Sequence, residues 1–419
     1  MHANAIKIVK RLALLVLLSQ LLGCGDEFGV TASSASEVKQ LTEGQVTGID
    51  SPFDGAITVF RGLPYAEPPV GDLRWQAPQP PANWSGVRVA DTFADSCHQP
   101  RHSSSFVWRR EDFPVSEDCL YLNIWAPESA EKLPVMVWFH GGSHVSGQGH
   151  SLIFDGTTLA QHDVLVVTIN YRLGPLGFLA HPWLSEEAAS DSAVGTSGNY
   201  GLMDKIAALQ WVKRNIEVLG GDPQNVTIFG QSAGSQSVGS LMTAPSAPGL
   251  FHKAIGQSAA CVNQLTKADA NGHERGQALV DALGASSIED LRGAEPDALL
   301  VAMTKSNWES ESRIVIDGRV LPRWPHEVFA AGEQSDIPLM LGFLADEGYE
   351  LFEVESALTE AELQGFLEYV GGKRAAELKA EYNASSMTPG ELKHAISTDL
   401  FMAYGMRQWA SYHADAGQD

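Results

Sequence analysis

The segment NVTIFGQSAGSQSVGSLM, residues 225–242, decides how the chain is read. Val226 to Phe229 is a short apolar run of the kind that sits inside a sheet covered on both faces. Gly230, Ser232 and Gly234 follow in G-x-S-x-G spacing, and the residues after Ser232 read as a helix. A strand that turns at once into a helix crosses its own backbone closely. Glycines two before and two after the serine remove the Cβ atoms that would collide there. Such a turn presents the Ser232 hydroxyl at the carboxyl end of a strand, where it can serve as a nucleophile. The bare five-residue pattern also fits a glycine-rich turn with a spectator serine; the strand before it and the helix after it favour the nucleophile.

Outward from this turn, LPVMVWF (133–139), VLVVTIN (164–170) and IPLML (337–341) are further continuous apolar runs. Strands of that kind belong to parallel sheets buried between helices. Leu202, Ile206, Leu209, Val212 and Ile216 recur at helical spacing between the second and third strands. The order strand, helix, strand, turn, helix predicts an α/β fold with a mostly parallel central sheet, helices on both faces, and chemistry at the carboxyl ends of the strands. One such end is followed by FHGGSHVSG (139–147), a loop whose small residues let a reacting carbonyl approach main-chain N–H donors. His140 in this loop is read as a structural residue.

The net charge of −23 over 419 residues leaves no basic stripe to displace counterions from a phosphate backbone, which argues against a nucleic-acid partner. Residues 1–23 carry Lys7, Lys10 and Arg11 ahead of LALLVLLSQLL, a basic region and an apolar core too short to span a bilayer. This is an export signal, and LLGC resembles a lipobox in which Cys24 becomes the lipidated first residue. Residues 24–40 are then a polar tether and residues 41–419 a single domain, sorted to the outer membrane by the anchor; a simple secretory signal is the alternative. In an oxidising compartment, Cys97 and Cys119 are close enough in sequence to pair, contributing about 3 kcal/mol through the unfolded chain. Cys261 is read as a buried thiol without chemistry. Oligomeric state is silent in the sequence.

SEDCLYLNIWAP (116–127), FRGLPYAEPPVGDLRW (60–75), INYRLGPLGFL (169–179), GNYGLMD (198–204) and GGDPQNVTIFGQSAG (220–234) together resemble the type B carboxylesterases, which include the cholinesterases. The resemblance runs from about residue 42 to the end and implies the α/β-hydrolase fold and a small-molecule ester substrate. It makes Ser232 the nucleophile and assigns the oxyanion hole to the N–H groups of Gly142, Ser143 and Ala233. Glu347 in LADEG becomes the acid, with Asp346 as fallback, and Ser258 a supporting serine. Arg74 and Glu117 match a structural ion pair, and Cys97 with Cys119 the family's first disulfide. Cholinesterases carry glutamate before the serine; Gln231 is neutral, which argues against a cationic choline ester. Trp108, in the disulfide loop, is read as gorge or lid packing.

A serine hydroxyl needs a base, and in this fold the order is Ser, acid, His. Only His394 and His413 follow Glu347. His394 lies on a helical pattern, and His413 is close to the last residue. The family's histidine occupies a loop after a further strand, farther beyond the acid than this sequence extends. The expectation is a C-terminally incomplete record, ahead of a naturally short protein and of His413 as base. No cofactor or metal is implied, because no ligand set of the usual spacing stands out. A non-catalytic adhesion relative, and an amidase or lactonase using the same site, are the competing functions.

Overall fold

The computed structural model describes residues 36–101, 113–191, 195–262, 266–267, 272–308, 313–348, 358–382 and 386–417. The export signal, Cys24 and Trp108 lie outside the described residues.

An eight-stranded mixed sheet carries the architecture. Its strands are β1 (Ile49–Asp50), β2 (Ile57–Pro64), β3 (Tyr121–Pro127), β4 (Leu133–Phe139), β5 (Leu165–Ile169), β6 (Gly221–Gln231), β7 (Lys253–Gln257) and β8 (Leu339–Gly342). The spatial order is β8-β7-β6-β4-β5-β3-β2-β1. From β8 to β5 all pairings are parallel, and from β5 to β1 all are antiparallel. The four apolar runs thus fall in the parallel half, as continuous burial predicts.

Alternation along β5 shows how both faces are covered. Leu165, Val167 and Ile169 join the main core, while Val166 packs with Trp125, Val59 and Ala160 in a second cluster. Ala160 belongs to the short helix α1 (Thr157–Ala160), so the second face is closed by a helix as well. The helix α2 (Tyr200–Asn215) buries Leu202, Ile206, Leu209 and Val212, the residues whose spacing predicts it. Helix α3 (Ala233–Met242) follows β6 directly.

Two expectations change. IPLML was to be buried on both faces, but β8 alternates: Leu339 and Leu341 are half-buried and Met340 is 66% exposed. Among the described residues β8 is the edge of the sheet, with one face turned outward. Five apolar residues have too few positions to separate alternation from continuous burial. Backbone pairing also reaches back before residue 41: Lys39 pairs with Val46, and the Ser36 amide donates to Gly48 O at 2.9 Å. Polar composition suggested a tether there, whereas backbone pairing is indifferent to side-chain polarity.

Candidate active site

The site is assembled by strand register. Phe139 of β4 stands opposite Gly230 of β6, Gln231 opposite Gln257 of β7, and Gln257 opposite Gly342 of β8. Four neighbouring strands therefore end level with one another. The glycine loop from His140, the Ser232 turn, Ser258 and the segment holding Glu347 all leave from that one edge. Adjacent strands lie about 4.8 Å apart, so polar side chains distant in sequence converge within a few strand widths.

Ser232 has φ 56° and ψ −124°, a conformation that costs a non-glycine residue on the order of 1–3 kcal/mol. Its amide donates to Gln257 O at 2.8 Å, and its carbonyl accepts from Gln236 N at 3.0 Å. The glycines are required by contact: a Cβ on Gly234 would lie 2.0 Å from Phe139 O, and one on Gly230 2.6 Å from the Gly234 carbonyl carbon. Ser232 occupies the N-cap of α3 without a side-chain capping bond, so its hydroxyl is not spent on its own helix. Ala233 opens α3, where amides lack intrahelical acceptors and the helix dipole favours negative charge.

The glycine loop presses against this turn. A Cβ on Gly141 would lie 2.9 Å from Gln231 O and 3.1 Å from Ser232 Cβ, so only glycine fits. Gly142 (φ 109°) and Ser143 (φ 55°) continue in left-handed conformation and are exposed. Gly142 O accepts from both Val145 N and Ser146 N, closing the loop into a turn. His140 is buried and stacked on Tyr171 with ring centroids 4.3 Å apart; the Tyr171 hydroxyl donates to His140 O at 2.7 Å. The Lys205 ammonium, fully buried, sits 3.0 Å from the centroid of the same ring. Burial pushes its pKa well below the ordinary lysine range, against the pull of Asp204.

On the far side, Glu347 is held by one oxygen. Ser258 Oγ donates to Glu347 Oε1 at 2.5 Å, and Leu344 N donates to the same atom at 2.8 Å. Asp346 is exposed and lies 3.4 Å from His394 Nε2, a contact distinct from that of Ser258 with Glu347. His394 stands on helix α4 (Pro389–Thr398), as its sequence pattern predicts. His413, on helix α5 (Tyr404–Asp415), is buried with Nε2 3.0 Å from Ile337 O, at the opposite end of β8 from Glu347. Among the described residues, no hydrogen bond joins a histidine to Ser232 or Glu347.

A model of the carboxylesterase family matches residues 35–414. The chain belongs to the carboxylesterase family. It is 40% identical to the para-nitrobenzyl esterase of Bacillus subtilis (strain 168) over 86% of this chain and 73% of that protein. It is 39% identical to the fumonisin B1 esterase of Sphingopyxis macrogoltabida over 83% of this chain, but 63% of that protein. The crystal structure of a Geobacillus stearothermophilus carboxylesterase superposes with a TM-score of 0.79 at 36% identity, covering 91% of this chain and 78% of that one. The fold is accordingly the α/β-hydrolase fold.

Within this carboxylesterase, Ser232, Gly141 to Ser143, Ala233, Ser258 and Glu347 meet at one edge of the sheet. Gln231 is exposed beside Ser232. Arg74, which is buried, forms an ion pair with the partly buried Glu117 and also donates to Arg292 O and Ala294 O. Cys97 and Cys119 are joined, with Cα atoms 5.0 Å apart. Cys261 is buried and unpaired; its sulfur would lie 2.2 Å from a Cβ on Gly239, and burial raises its pKa above the ordinary thiol range. Among the described residues no group of three or more His, Cys, Asp or Glu could hold a metal. Tyr171 carries no assignment from the sequence; a tyrosine directly after the apolar run VLVVTIN is the signal that marks it.

Proposed function

We propose that the protein is a serine carboxylesterase working through an acyl-enzyme on Ser232. The observation that carries this is the strained, uncapped Ser232 at the head of α3, level with the glycine loop on one side and the Ser258–Glu347 pair on the other. The names of its relatives, para-nitrobenzyl esterase and fumonisin B1 esterase, point to carboxylic esters as the substrate class.

In this reading Ser232 Oγ attacks the ester carbonyl and loses its proton to a histidine oriented by Glu347. The N–H groups of Gly142, Ser143 and Ala233 stabilise the charge that develops on the carbonyl oxygen, and the α3 dipole adds to them. The protonated base releases the alcohol, and water then attacks the acyl-serine by the reverse proton path. Glu347 Oε1 is engaged by Ser258 and Leu344, which leaves Oε2 to accept the N–H of the imidazole. The Cys97–Cys119 pair and the basic-apolar leader fit an exported protein lipidated at Cys24.

A fluorophosphonate probe and a short-chain p-nitrophenyl ester test the reading on the full-length protein. Labelling and hydrolysis are expected, and Ser232→Ala should remove the label and lower kcat by about 10⁴-fold or more. A protein that neither labels nor hydrolyses the ester is not an esterase of this kind.

A further inference from the structure

The glycine loop contains a residue whose side chain no step above uses. His144 is 2% exposed and, like Ser143, has a positive φ (57°). Its Nε2 lies 3.0 Å from Ser237 Oγ, a contact across 93 residues between the loop and α3. Ser237 is itself fully buried, and its hydroxyl donates to Ala233 O at 2.9 Å, one turn earlier on the same helix. A hydroxyl has one hydrogen. With that hydrogen directed to Ala233 O, Ser237 Oγ is left to accept from His144, an arrangement that requires the imidazole proton on Nε2.

We infer that His144 and Ser237 form a positioning relay, His144 Nε2–H to Ser237 Oγ–H to Ala233 O, that fixes the spacing between the two halves of the oxyanion hole. One end of the relay is the residue after Ser143, and the other is the peptide of Ala233. The hole works only if donors from separate elements are aimed at one point, and among the described residues no main-chain hydrogen bond joins Gly142 or Ser143 to Ala233. The loop end is anchored a second time, since Gly174 N donates to His144 O at 2.7 Å. The ring also packs on Phe178 with centroids 5.0 Å apart. Burial pushes the imidazole pKa well below its ordinary value, helped by the positive charges of Lys205 and Arg313 and by His140 and opposed by a hydrogen bond with the Ala233 main chain. A neutral ring is what a relay with one donor needs. This role deepens the esterase reading and rests on it.

Two measurements decide the point. The first is independent of turnover: ¹⁵N and ¹H spectra of histidine-labelled full-length protein should show His144 as the Nε2–H tautomer, and Ser237→Ala should shift that resonance. An Nδ1–H tautomer or an imidazolium overturns the relay. The second uses active-site titration with the fluorophosphonate, so that unfolded protein is not counted. His144→Phe keeps the ring packing and removes the donor, while Ser237→Ala removes the acceptor. Each is expected to lower kcat about tenfold at unchanged KM, as loss of aim in an oxyanion hole does. The double variant should fall no further than either single one, the signature of one shared path. Singles that leave kcat intact, or that raise KM alone, overturn the proposal. If the unsubstituted protein hydrolyses no ester, the esterase reading fails, and the tautomer alone decides whether the relay exists.

Discussion

The two sides of the site are built differently. Ser232 leaves a strand buried without interruption from Val226 to Gly230 and is clamped by main chain: Phe139, Gly141 and Gly234 leave no room for a methyl group among them. Glu347 leaves an alternating strand at the edge of the described sheet, where a Cβ on Gly342 would meet nothing within 4 Å. It is held by two hydrogen bonds to a single oxygen. Ser232 is positioned by packing and Glu347 by polar contacts. Steric clamping tolerates no change in volume, whereas hydrogen bonding tolerates volume but not a change of donor or acceptor.

Four substitutions probe that contrast. Glu347→Gln keeps the shape and removes the charge, and is expected to lower kcat roughly 10³-fold while unfolding free energy in urea stays nearly constant. A kcat within tenfold of wild type would remove Glu347 from the acid role. Gly234→Ala forces a methyl group against Phe139 O and should cost about 3 kcal/mol in urea unfolding. If it is neutral, the clamp is not steric. Ser258→Ala deletes one of the two donors to Glu347 Oε1 and should lower kcat about tenfold with about 1–2 kcal/mol lost in stability; an unchanged enzyme would show Leu344 N to be sufficient. Gly342→Ala, on the open side, is expected to stay within about 0.5 kcal/mol of wild type in the same unfolding experiment. A larger loss would mean that this edge is covered by something in solution.

What was legible follows from the same physics. The Ser232 turn, the glycine loop and the parallel strands are local patterns, in which a few adjacent residues set backbone shape, and they are where the sequence placed them. Glu347 was reached only through resemblance, because its partner Ser258 is 89 residues away and no spacing rule links them. The His144–Ser237 contact was not legible at all: a histidine in a glycine loop and a serine in a helix are each unremarkable until the fold brings them together. Met340 was misplaced because the outward face of a strand is decided by its neighbours, and Ser36 to Gln40 because a short polar strand carries no hydrophobic period.

The level strand ends have one more implication. The pairings Phe139–Gly230, Gln231–Gln257 and Gln257–Gly342 are at once the sheet's cohesion and the ruler that sets the glycine loop, Ser232 and Glu347 beside each other. A slip of one residue in any pairing would displace one of these groups by about 3.3 Å and turn its strand inside out. Hydrolysis is therefore an assay of sheet registry: molecules that turn over are those in which every one of these ladders is correctly threaded.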